Sequence, residues 1–323
     1  MKAVVYHRPR EINVEDVPEP EAKGNQVLVR FKSGSICGTD LHFLRGEWKI
    51  RSGRIIGHDA CGIREDTGER AAMVPITYCG RCYFCLRGLP TSCERQGQFR
   101  GIDKDGFFAE SIAIRPKYLV PLPKNVSNEE AGILEPVALA IHVMDLLKPN
   151  LGDWVTIMGQ GPIGLLVTQI AKLKGCKVIA LDLENYRLEL AVKYGADFCI
   201  NTGQEDGIKK VKEFTKRGAD IVIEATGRIR VVEQTPFMVR KAGKVALIGE
   251  YRGRMNFKES GDASFFTTHT SPIDYPLAVE LIADRLVDVK SLITHRFPLA
   301  DFEKAIKTAD TPSEKPLKVI ITI

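Results

Sequence analysis

Hydrophobic residues follow two different patterns along the chain, and the change comes near residue 130. Before it, short β-branched runs such as 2–6 and 26–31 are separated by proline-rich turns, which predicts strands in an irregular, β-rich region. After it, residues 129–147 carry apolar side chains at helical spacing, and apolar strands then alternate with amphipathic helices. This alternation predicts a parallel sheet covered by helices on both faces.

The alternating region sets the expected domain boundaries. Strands are predicted at 154–158, 177–181, 198–200, 221–225 and 245–248, and helices at 163–174, 187–194, 208–215, 231–239 and 275–285. The chain closes on a β-branched run at 318–323. We therefore expect an α/β domain over 144–270, inserted between a β-rich domain over 1–143 and a segment, 271–323, that returns to the first domain.

Composition narrows the functional classes. The 323 residues are 44% hydrophobic and 27% charged, as in ordinary globular proteins. The net charge of +5 is mild and spread along the chain, so we expect no nucleic-acid partner. No apolar run reaches membrane-spanning length and the N-terminus lacks a signal-peptide core, so we expect no membrane contact and a reducing, cytoplasmic location.

Four of the eight cysteines fall within fifteen residues, in the order C-x2-C-x2-C-x7-C. Four converging thiolates suit a tetrahedral Zn²⁺, so the segment 79–93 is predicted to be a closed structural zinc lobe. A disulfide-bonded loop and an iron–sulfur cluster are the alternatives, although the ferredoxin pattern would place its fourth cysteine after three residues. The predicted structural ligands are Cys79, Cys82, Cys85 and Cys93.

A glycine-rich G-x-G-x-x-G motif follows a predicted strand and begins a helix, as dinucleotide binding requires. Its backbone N–H groups and the helix N-terminus would hold a pyrophosphate. Asp182 ends the next strand and would accept hydrogen bonds from the ribose, which favours NAD, whereas the nearby Arg187 weakens the preference against NADP. The predicted coenzyme residues are Gly159, Gly161, Pro162, Ile163, Gly164, Asp182 and Arg187.

Further candidates for chemistry lie in C-G-T-D-L-H at 37–42, in G-H-D at 57–59 and in the E-P that opens a helix at 135. Each residue taken singly has a purely structural interpretation. Cys37 could be a small buried hydrophobic residue, His58 a core histidine, and Glu135 a carboxylate in the first turn of a helix. Their presence in one chain, together with a dinucleotide motif and a four-cysteine lobe, points instead to a metal-assisted enzyme.

These motifs, in this order, resemble the zinc-dependent medium-chain dehydrogenases of the alcohol and polyol dehydrogenase type, over nearly the whole chain. The resemblance implies a GroES-like catalytic domain, a Rossmann coenzyme domain and a likeness to sorbitol- and threonine-type enzymes. It implies that Cys37, His58 and Glu135 bind a catalytic zinc beside NAD. Asp59 stands where most members have glutamate, and both zinc ligation and a purely orienting role stay open for it.

The resemblance also implies roles in proton transfer and an approximate substrate class. Thr39 would take the alcohol proton and His42 would relay it to solvent. Glutamate as third ligand favours a secondary hydroxyl on a polyol, sugar or sugar acid, oxidised reversibly to a ketone. A basic stretch with one acid, Glu47, would attract an anionic substrate; its cations are Arg45, Lys49, Arg51 and Arg54.

Several alternatives remain open from the sequence. They are an L-threonine or amino-alcohol 3-dehydrogenase, a zinc-free quinone or enone reductase, and a non-catalytic NADH-binding scaffold. Relatives imply a homodimer or homotetramer, in which residues 245–248 and the segment after them would build an inter-subunit sheet. The link between Gly62 and Ala71 is shorter than the hairpin typical of the family, so the β-rich domain is expected to be trimmed there.

Overall fold

The computed structural model describes residues 1–256 and 262–323. Its strands are β1 Lys2–Arg8, β2 Glu11–Asp16, β3 Val27–Ser35, β4 Arg54–Ile55, β5 Ala60–Arg64, β6 Arg70–Met73, β7 Ile76–Thr77, β8 Gln98–Phe99, β9 Ser111–Ile114, β10 Leu119–Pro121, β11 Trp154–Met158, β12 Lys177–Asp182, β13 Phe198–Asn201, β14 Ala219–Glu224, β15 Val239–Leu247, β16 Ser264–Thr267, β17 Ile293–Pro298 and β18 Lys318–Thr322.

The helices alternate with strands in the middle of the chain and are sparse before it. They are α1 Gly38–Arg45, α2 Asn128–Ala131, α3 Leu134–Leu147, α4 Pro162–Leu173, α5 Asn185–Lys193, α6 Gly207–Thr215, α7 Ile229–Val232, α8 Thr235–Met238, α9 Tyr275–Ala283 and α10 Phe302–Asp310. The chain divides into two compact units, Met1–Ala138 with Ser271–Ile323, and Leu139–Thr270, so the first division lies within α3, five residues before the predicted boundary after residue 143.

The first unit is built on a sheet with the strand order β10-β6-β5-β3-β18-β17, and β9 also pairs with β3. Most of its pairs are antiparallel, and β18 joins β3 through Ile320–Ser35 and its neighbours. The C-terminal strand therefore completes the sheet that carries the N-terminal motifs. A smaller sheet, β2-β1-β4, lies in the same unit.

The short link after Gly62 forms a tight hairpin. Strands β5 and β6 pair in register from Ala60–Met73 to Ile63–Arg70, and the turn closes with the Arg64 N–H donating to the Glu69 carbonyl at 2.9 Å. At Gly62 the sheet leaves no room for a side chain, because a Cβ there would lie 2.3 Å from the Arg30 carbonyl oxygen. The hairpin is thus shortened without loss of strand pairing.

The second unit contains a parallel sheet with the order β13-β12-β11-β14-β15-β16. Apolar strand residues such as Ile179, Val222 and Val245 are fully buried, which agrees with their continuous hydrophobic runs. The predicted α/β fold class with a doubly wound parallel sheet is confirmed.

Two helices predicted as continuous are divided in the structure. The predicted helix 231–239 is two short helices, α7 and α8, and Pro236 lies in the first turn of the second. Proline lacks the N–H needed in a helix interior but is tolerated in a first turn, so the break precedes it. The predicted helix 129–147 likewise divides at Gly132, which follows α2.

The predicted inter-subunit sheet stays a prediction. Residues 245–247 end β15, whose two edges are occupied by β14 and β16, so only the segment after them could extend the sheet. The outer strand on this side is β16, Ser264–Thr267. The intervening segment includes residues 257–261, which lie outside the described residues.

None of the helices within residues 1–256 and 262–323 is both long enough and apolar enough to cross a membrane.

Candidate functional site

Cys37 sits at the start of α1, directly after the strand β3. Its N–H donates to the Asp40 carboxylate at 2.9 Å, which closes the first turn of the helix and directs the Asp40 side chain inward. The Cys37 Sγ lies 3.8 Å from the Thr39 hydroxyl. The same local turn therefore positions a thiol, a hydroxyl and a fully buried carboxylate.

His58 faces this turn from the loop before β5 and is buried. Its Nδ1 has no hydrogen-bond partner among the described residues, and its ring packs edge-on against Phe99 at 5.2 Å. Burial lowers the pKa of His58, but Cys37, then Asp40 and Glu135, act in the opposite direction and raise that pKa to about 10. A buried field strong enough to hold an imidazolium would also stabilise a metal cation.

Glu135 lies in the first turn of α3 and is buried, 8% exposed. Its charge contributes to the electrostatic environment of His58, so the structure brings Cys37, His58 and Glu135 into one neighbourhood of the first unit. Their donor atoms are not within 4.8 Å of one another as a set; over residues 1–256 and 262–323, only the four cysteines of the lobe meet that distance. A thiolate, an imidazole and a carboxylate are nonetheless donors that fit a catalytic zinc site.

Asp59 belongs to a buried polar network. Its Oδ2 accepts from the Ser35 hydroxyl at 2.5 Å and lies 3.5 Å from the Lys318 ammonium, and its Oδ1 accepts from the Glu135 N–H at 3.3 Å. Lys318 also donates to Ser35 at 2.8 Å. Both carboxylate oxygens are thus bonded to protein groups, and the network joins β3, β18 and the start of α3.

Ser35 and Lys318 have no role in the sequence-based site, yet they hold Asp59. Lys318 is only 4% exposed, and it starts a strand of Val and Ile residues. A lysine at the head of such an apolar run is the one sequence signal that could have revealed it, since buried lysines need a partner. Its partners are 259 and 283 residues away along the chain, so no local pattern identifies them.

His42 lies three residues after Thr39 on α1, so both project from the same side of the helix. Its Nδ1 is hydrogen-bonded to the Glu47 carboxylate, and its ring stacks on Trp48 with centroids 5.6 Å apart. The carboxylate and the indole therefore fix the orientation of the imidazole, as a proton-relay histidine requires.

The basic stretch after His42 is less positive than its sequence indicates. Arg45 pairs with Asp310 at 2.5 Å, and Arg54 pairs with Asp105 at 3.2 Å. Lys49 and Arg51 are exposed and make no ion pair within the described part of the chain. Only these two cations remain to attract an anionic substrate.

The four predicted structural ligands converge as their spacing predicts. The Sγ atoms of Cys79 and Cys85 are 3.9 Å apart, those of Cys82 and Cys85 3.5 Å, and those of Cys82 and Cys93 4.0 Å. Zn–S bonds of about 2.3 Å in a tetrahedron place sulfurs about 3.8 Å apart, so the lobe fits zinc. The Cys85 N–H and then neighbouring donors lower the pKa of Cys82 to about 6, which favours the thiolate that a metal binds.

The glycine motif forms the turn between β11 and α4 in the second unit. Gly159 has φ +93°, a conformation that side chains rarely adopt. At Gly164 a Cβ would lie 1.9 Å from the Gly159 carbonyl oxygen, so this glycine permits close packing of helix on strand. At Gly161 a Cβ would meet nothing within 4 Å, which leaves open space beside the N-terminus of α4, where Pro162 and Ile163 follow. The loop therefore fits a pyrophosphate.

Asp182 ends β12, next to this loop, and is 8% exposed. Its Oδ2 accepts from the Gln160 N–H at 2.6 Å, and its Oδ1 accepts from the N–H groups of Leu183 and Glu184 at 2.8 and 2.9 Å. Arg187 lies 3.8 Å from Asp182 and bonds to the Tyr186 hydroxyl at 2.9 Å. The carboxylate is therefore held rigidly at the strand end where a ribose would lie.

Comparison with known proteins agrees with this arrangement. An alcohol dehydrogenase GroES-like domain model matches residues 23–124, and a zinc-binding dehydrogenase model matches residues 162–270. Sorbitol dehydrogenase of Bacillus subtilis (strain 168) is 31% identical over 341 residues, covering 99% of this chain and 97% of the relative. The chain belongs to the zinc-dependent medium-chain dehydrogenase family. The predicted family is thereby confirmed, and this dehydrogenase is an oxidoreductase.

Other relatives of this dehydrogenase differ in their named substrates. L-Threonine 3-dehydrogenase of Pyrococcus furiosus is 34% identical over 274 residues, covering 79% of this chain and 78% of the relative. Among solved structures, alcohol dehydrogenase TADH from Thermus sp. ATN1 has a TM-score of 0.92 at 26% identity, covering 100% of this chain and 99% of that one. A short chain alcohol dehydrogenase from Escherichia coli CFT073, solved with NADH, has a TM-score of 0.93 at 26% identity, with the same coverage. The expected zinc and dinucleotide cofactors agree with these matches.

The two glycines of the coenzyme loop should separate stability from binding. We expect Gly164→Ala to lower the free energy of unfolding by about 1–3 kcal/mol, because its Cβ would collide with a backbone oxygen. Gly161→Ala should leave stability nearly unchanged and weaken NADH binding at least about tenfold, because its Cβ enters the open space of the loop. Denaturant unfolding and NADH fluorescence titration measure the two effects, and equal stability losses would contradict this division.

The buried ion pair behind Asp59 gives a second prediction. Lys318→Met should lower the free energy of unfolding by about 3–5 kcal/mol, because it leaves the Asp59 carboxylate buried without a cation. Adding Asp59→Asn should recover part of the loss, since it removes the carboxylate that lost its cation. The control is Lys124→Met, at an exposed position with no ion pair in the described residues, where a change within about 0.5 kcal/mol is expected. A Lys318→Met loss no larger than the control would count against the network.

Proposed function

We propose that this dehydrogenase catalyses the reversible, NAD-linked oxidation of a secondary hydroxyl on a polyol, sugar or sugar acid to a ketone. The observation that carries the proposal is the grouping of half-buried Cys37 with buried His58 and Glu135, where the charges of Cys37, Asp40 and Glu135 raise the pKa of His58 to about 10 in spite of its burial. The similarity to the sorbitol dehydrogenase of Bacillus subtilis supports a polyol substrate, since the alignment covers nearly the whole length of both chains.

Cys37, His58 and Glu135 would hold the catalytic zinc in this proposal. When bound, the metal would act as a Lewis acid on the substrate oxygen, and NAD would accept the hydride. Asp59 would orient the site without binding the metal, because its oxygens already accept from Ser35 and from the Glu135 N–H. The buried Asp40 would stabilise the imidazole of His58 through its charge.

Thr39 and His42 would move the proton. The Thr39 hydroxyl lies beside the Cys37 sulfur and would accept the proton of the substrate hydroxyl. His42 lies one helical turn further along α1, and its ring is partly exposed, so it would pass the proton to solvent. The hydrogen bond to Glu47 keeps the imidazole in one tautomer, so that its second nitrogen can exchange the proton.

The second unit would determine the coenzyme. The Asp182 carboxylate would accept hydrogen bonds from the ribose hydroxyls and would repel a 2′-phosphate, which favours NAD over NADP. Arg187 forms an ion pair with Asp182 at 3.8 Å. Its guanidinium would therefore attract a 2′-phosphate less strongly than an unpaired arginine.

L-Threonine is the second candidate substrate. The relative from Pyrococcus furiosus named L-threonine 3-dehydrogenase is 34% identical to this chain, over an alignment that covers 79% of it. Threonine is also a secondary alcohol, so the same residues would perform the same proton and hydride transfers. The difference would lie in how the ammonium and carboxylate of the amino acid are bound.

A substrate panel with matched variants tests the proposed function. We expect NAD⁺ reduction with secondary hydroxyls of polyols, about two zinc atoms per chain, and at least a hundredfold (about 10²) lower turnover in Cys37→Ser. NADH binding in that variant should stay near wild type, because Cys37 belongs to the first unit and the glycine loop to the second. The control Cys82→Ser should lower thermal stability first.

Each alternative predicts a different result in the same panel. Turnover of threonine alone would favour the amino-alcohol enzyme, and turnover of quinones or enones with intact activity in Cys37→Ser would favour the zinc-free reductase. NADH binding without oxidation of any hydroxyl would indicate a non-catalytic scaffold. Turnover confined to simple primary alcohols would contradict both substrate proposals.

The two unpaired cations after α1 test whether the substrate is anionic. We expect Lys49→Gln and Arg51→Gln each to raise KM for sugar acids several-fold while leaving KM for neutral polyols unchanged, because only a charged substrate loses an attraction. Arg45→Gln is the matched control, since Asp310 already pairs with that guanidinium. Equal effects on acidic and neutral substrates would remove the support for an anionic substrate.

A further inference from the structure

A small cavity of about 110 Å³ lies in the first unit, and none of the residues with a proposed catalytic or metal role lines it. Three of its lining residues are cations: Arg100, Lys104 and Arg115. The remaining lining residues are neutral and polar, and no carboxylate lines the cavity. Its volume corresponds to about three or four water molecules, enough for one small ion.

The three cations have little compensation. Lys104 and Arg115 are exposed and make no ion pair within residues 1–256 and 262–323. The Arg100 guanidinium donates only to the carbonyls of Asp105 and Ala113, at 3.1 and 3.0 Å, and its buried Nε has no partner. Desolvation first, and then the charges of Arg100 and Arg115, lower the pKa of Lys104, which shows that the cations repel one another.

The carboxylates nearest in sequence are engaged elsewhere. Asp103 accepts from the Phe99 N–H at 2.7 Å, and Asp105 accepts from Arg54 and from the Ile55 N–H at 3.2 and 3.3 Å. Neither lines the cavity. Burial lowers the pKa values of Arg100 and Lys104, and the charges of Asp105 and Asp103 act to raise them, but neither carboxylate makes a direct ion pair with these cations within the described residues.

The neutral groups that line the cavity include unused donors. The Gln26 side-chain carbonyl accepts from the Lys23 N–H at 3.1 Å. The Thr77 hydroxyl donates to the Gln96 backbone carbonyl at 2.5 Å, and the Tyr118 hydroxyl donates to the Tyr78 backbone carbonyl at 2.8 Å. The side-chain N–H groups of Gln26 and Gln96 make no hydrogen bond within residues 1–256 and 262–323, so they can donate to a ligand.

A site that offers several donors and positive charge fits a ligand that has only acceptors and is negatively charged. We propose that this cavity binds a phosphate-type oxyanion, either free inorganic phosphate or the phosphoryl end of a metabolite. The oxyanion would accept from the Arg100 Nε, from Lys104 and Arg115, and from the amides of Gln26 and Gln96. A binding site of this kind is separate from hydride transfer and does not depend on the proposed function.

The position of the cavity indicates what the anion would do. Thr77 and Gln96 flank the four-cysteine segment, whereas Arg115 follows β9 and Gln26 precedes β3. An oxyanion bound between them would join the base of the cysteine lobe to the main sheet of the first unit. Phosphate would then stabilise the lobe, and with it the structural metal site.

The test measures binding of inorganic phosphate to the coenzyme-free zinc-loaded enzyme by calorimetry and ³¹P NMR, at constant ionic strength. We expect saturable binding in the wild type, and about tenfold or greater weakening in Lys104→Gln and in Arg115→Gln, since each removes one charge-assisted hydrogen bond. Both positions are exposed, so the variants should fold. Lys124→Gln is the matched control for net charge and should bind as the wild type does.

Three further arms separate this site from other causes. Cys37→Ser should retain phosphate binding, because a phosphate bound at the catalytic metal would be lost there instead. Glycerol phosphate distinguishes the sources: tighter binding than inorganic phosphate identifies a metabolite's phosphoryl group, and weaker or no binding identifies the free ion. Absence of saturable binding of both ligands, or equal binding by Lys104→Gln, Arg115→Gln and Lys124→Gln, would overturn the proposal, since a general salt effect would act on all alike.

Discussion

The buried negative charge around His58 is the constraint on which the candidate active site depends. Asp40 and Glu135 are buried and Cys37 is half-buried, and a buried anion is costly unless a cation or several donors compensate it. Asp59 pairs with Lys318, whereas Cys37, Asp40 and Glu135 all act on the imidazole of His58 and raise its pKa. A divalent metal beside His58 would add positive charge among these three acidic groups, so stability and activity would share one ion.

In the second unit, steric constraints on the backbone shape the candidate coenzyme loop. Gly164 allows the helix to approach the Gly159 carbonyl, and Gly159 takes a backbone conformation that other residues avoid. The Asp182 carboxylate is held by N–H groups of the same loop and of the following turn. In the proposed function, coenzyme binding would rest on backbone geometry in the second unit, and the chemistry on charged groups around His58 in the first.

The sequence predicts those parts of the structure whose partners are close along the chain. The cysteine lobe and the glycine loop each lie within fifteen residues, so their spacing alone fixes which atoms can meet. The fold class follows from the alternation of apolar strands and helices, although Pro236 and Gly132 divide two helices that periodicity joins. The sequence does not predict the pairing of Lys318 with Asp59, because β18 reaches β3 only through the sheet topology.

The same distinction explains why counting charges along the chain overestimated the basic surface after α1. Arg45 pairs with Asp310, and Arg54 pairs with Asp105. No local sequence pattern indicates either partner. Conversely, nothing in the sequence distinguishes three basic residues from ordinary surface residues, and several positions separate them along the chain. They nonetheless line one cavity that no carboxylate lines: Arg100, Lys104 and Arg115. A cation carries functional information only after its partners are known, because a paired guanidinium contributes little field and an unpaired one contributes its full charge. In this chain, the basic side chains that point to a function are those that have no carboxylate partner within the described residues.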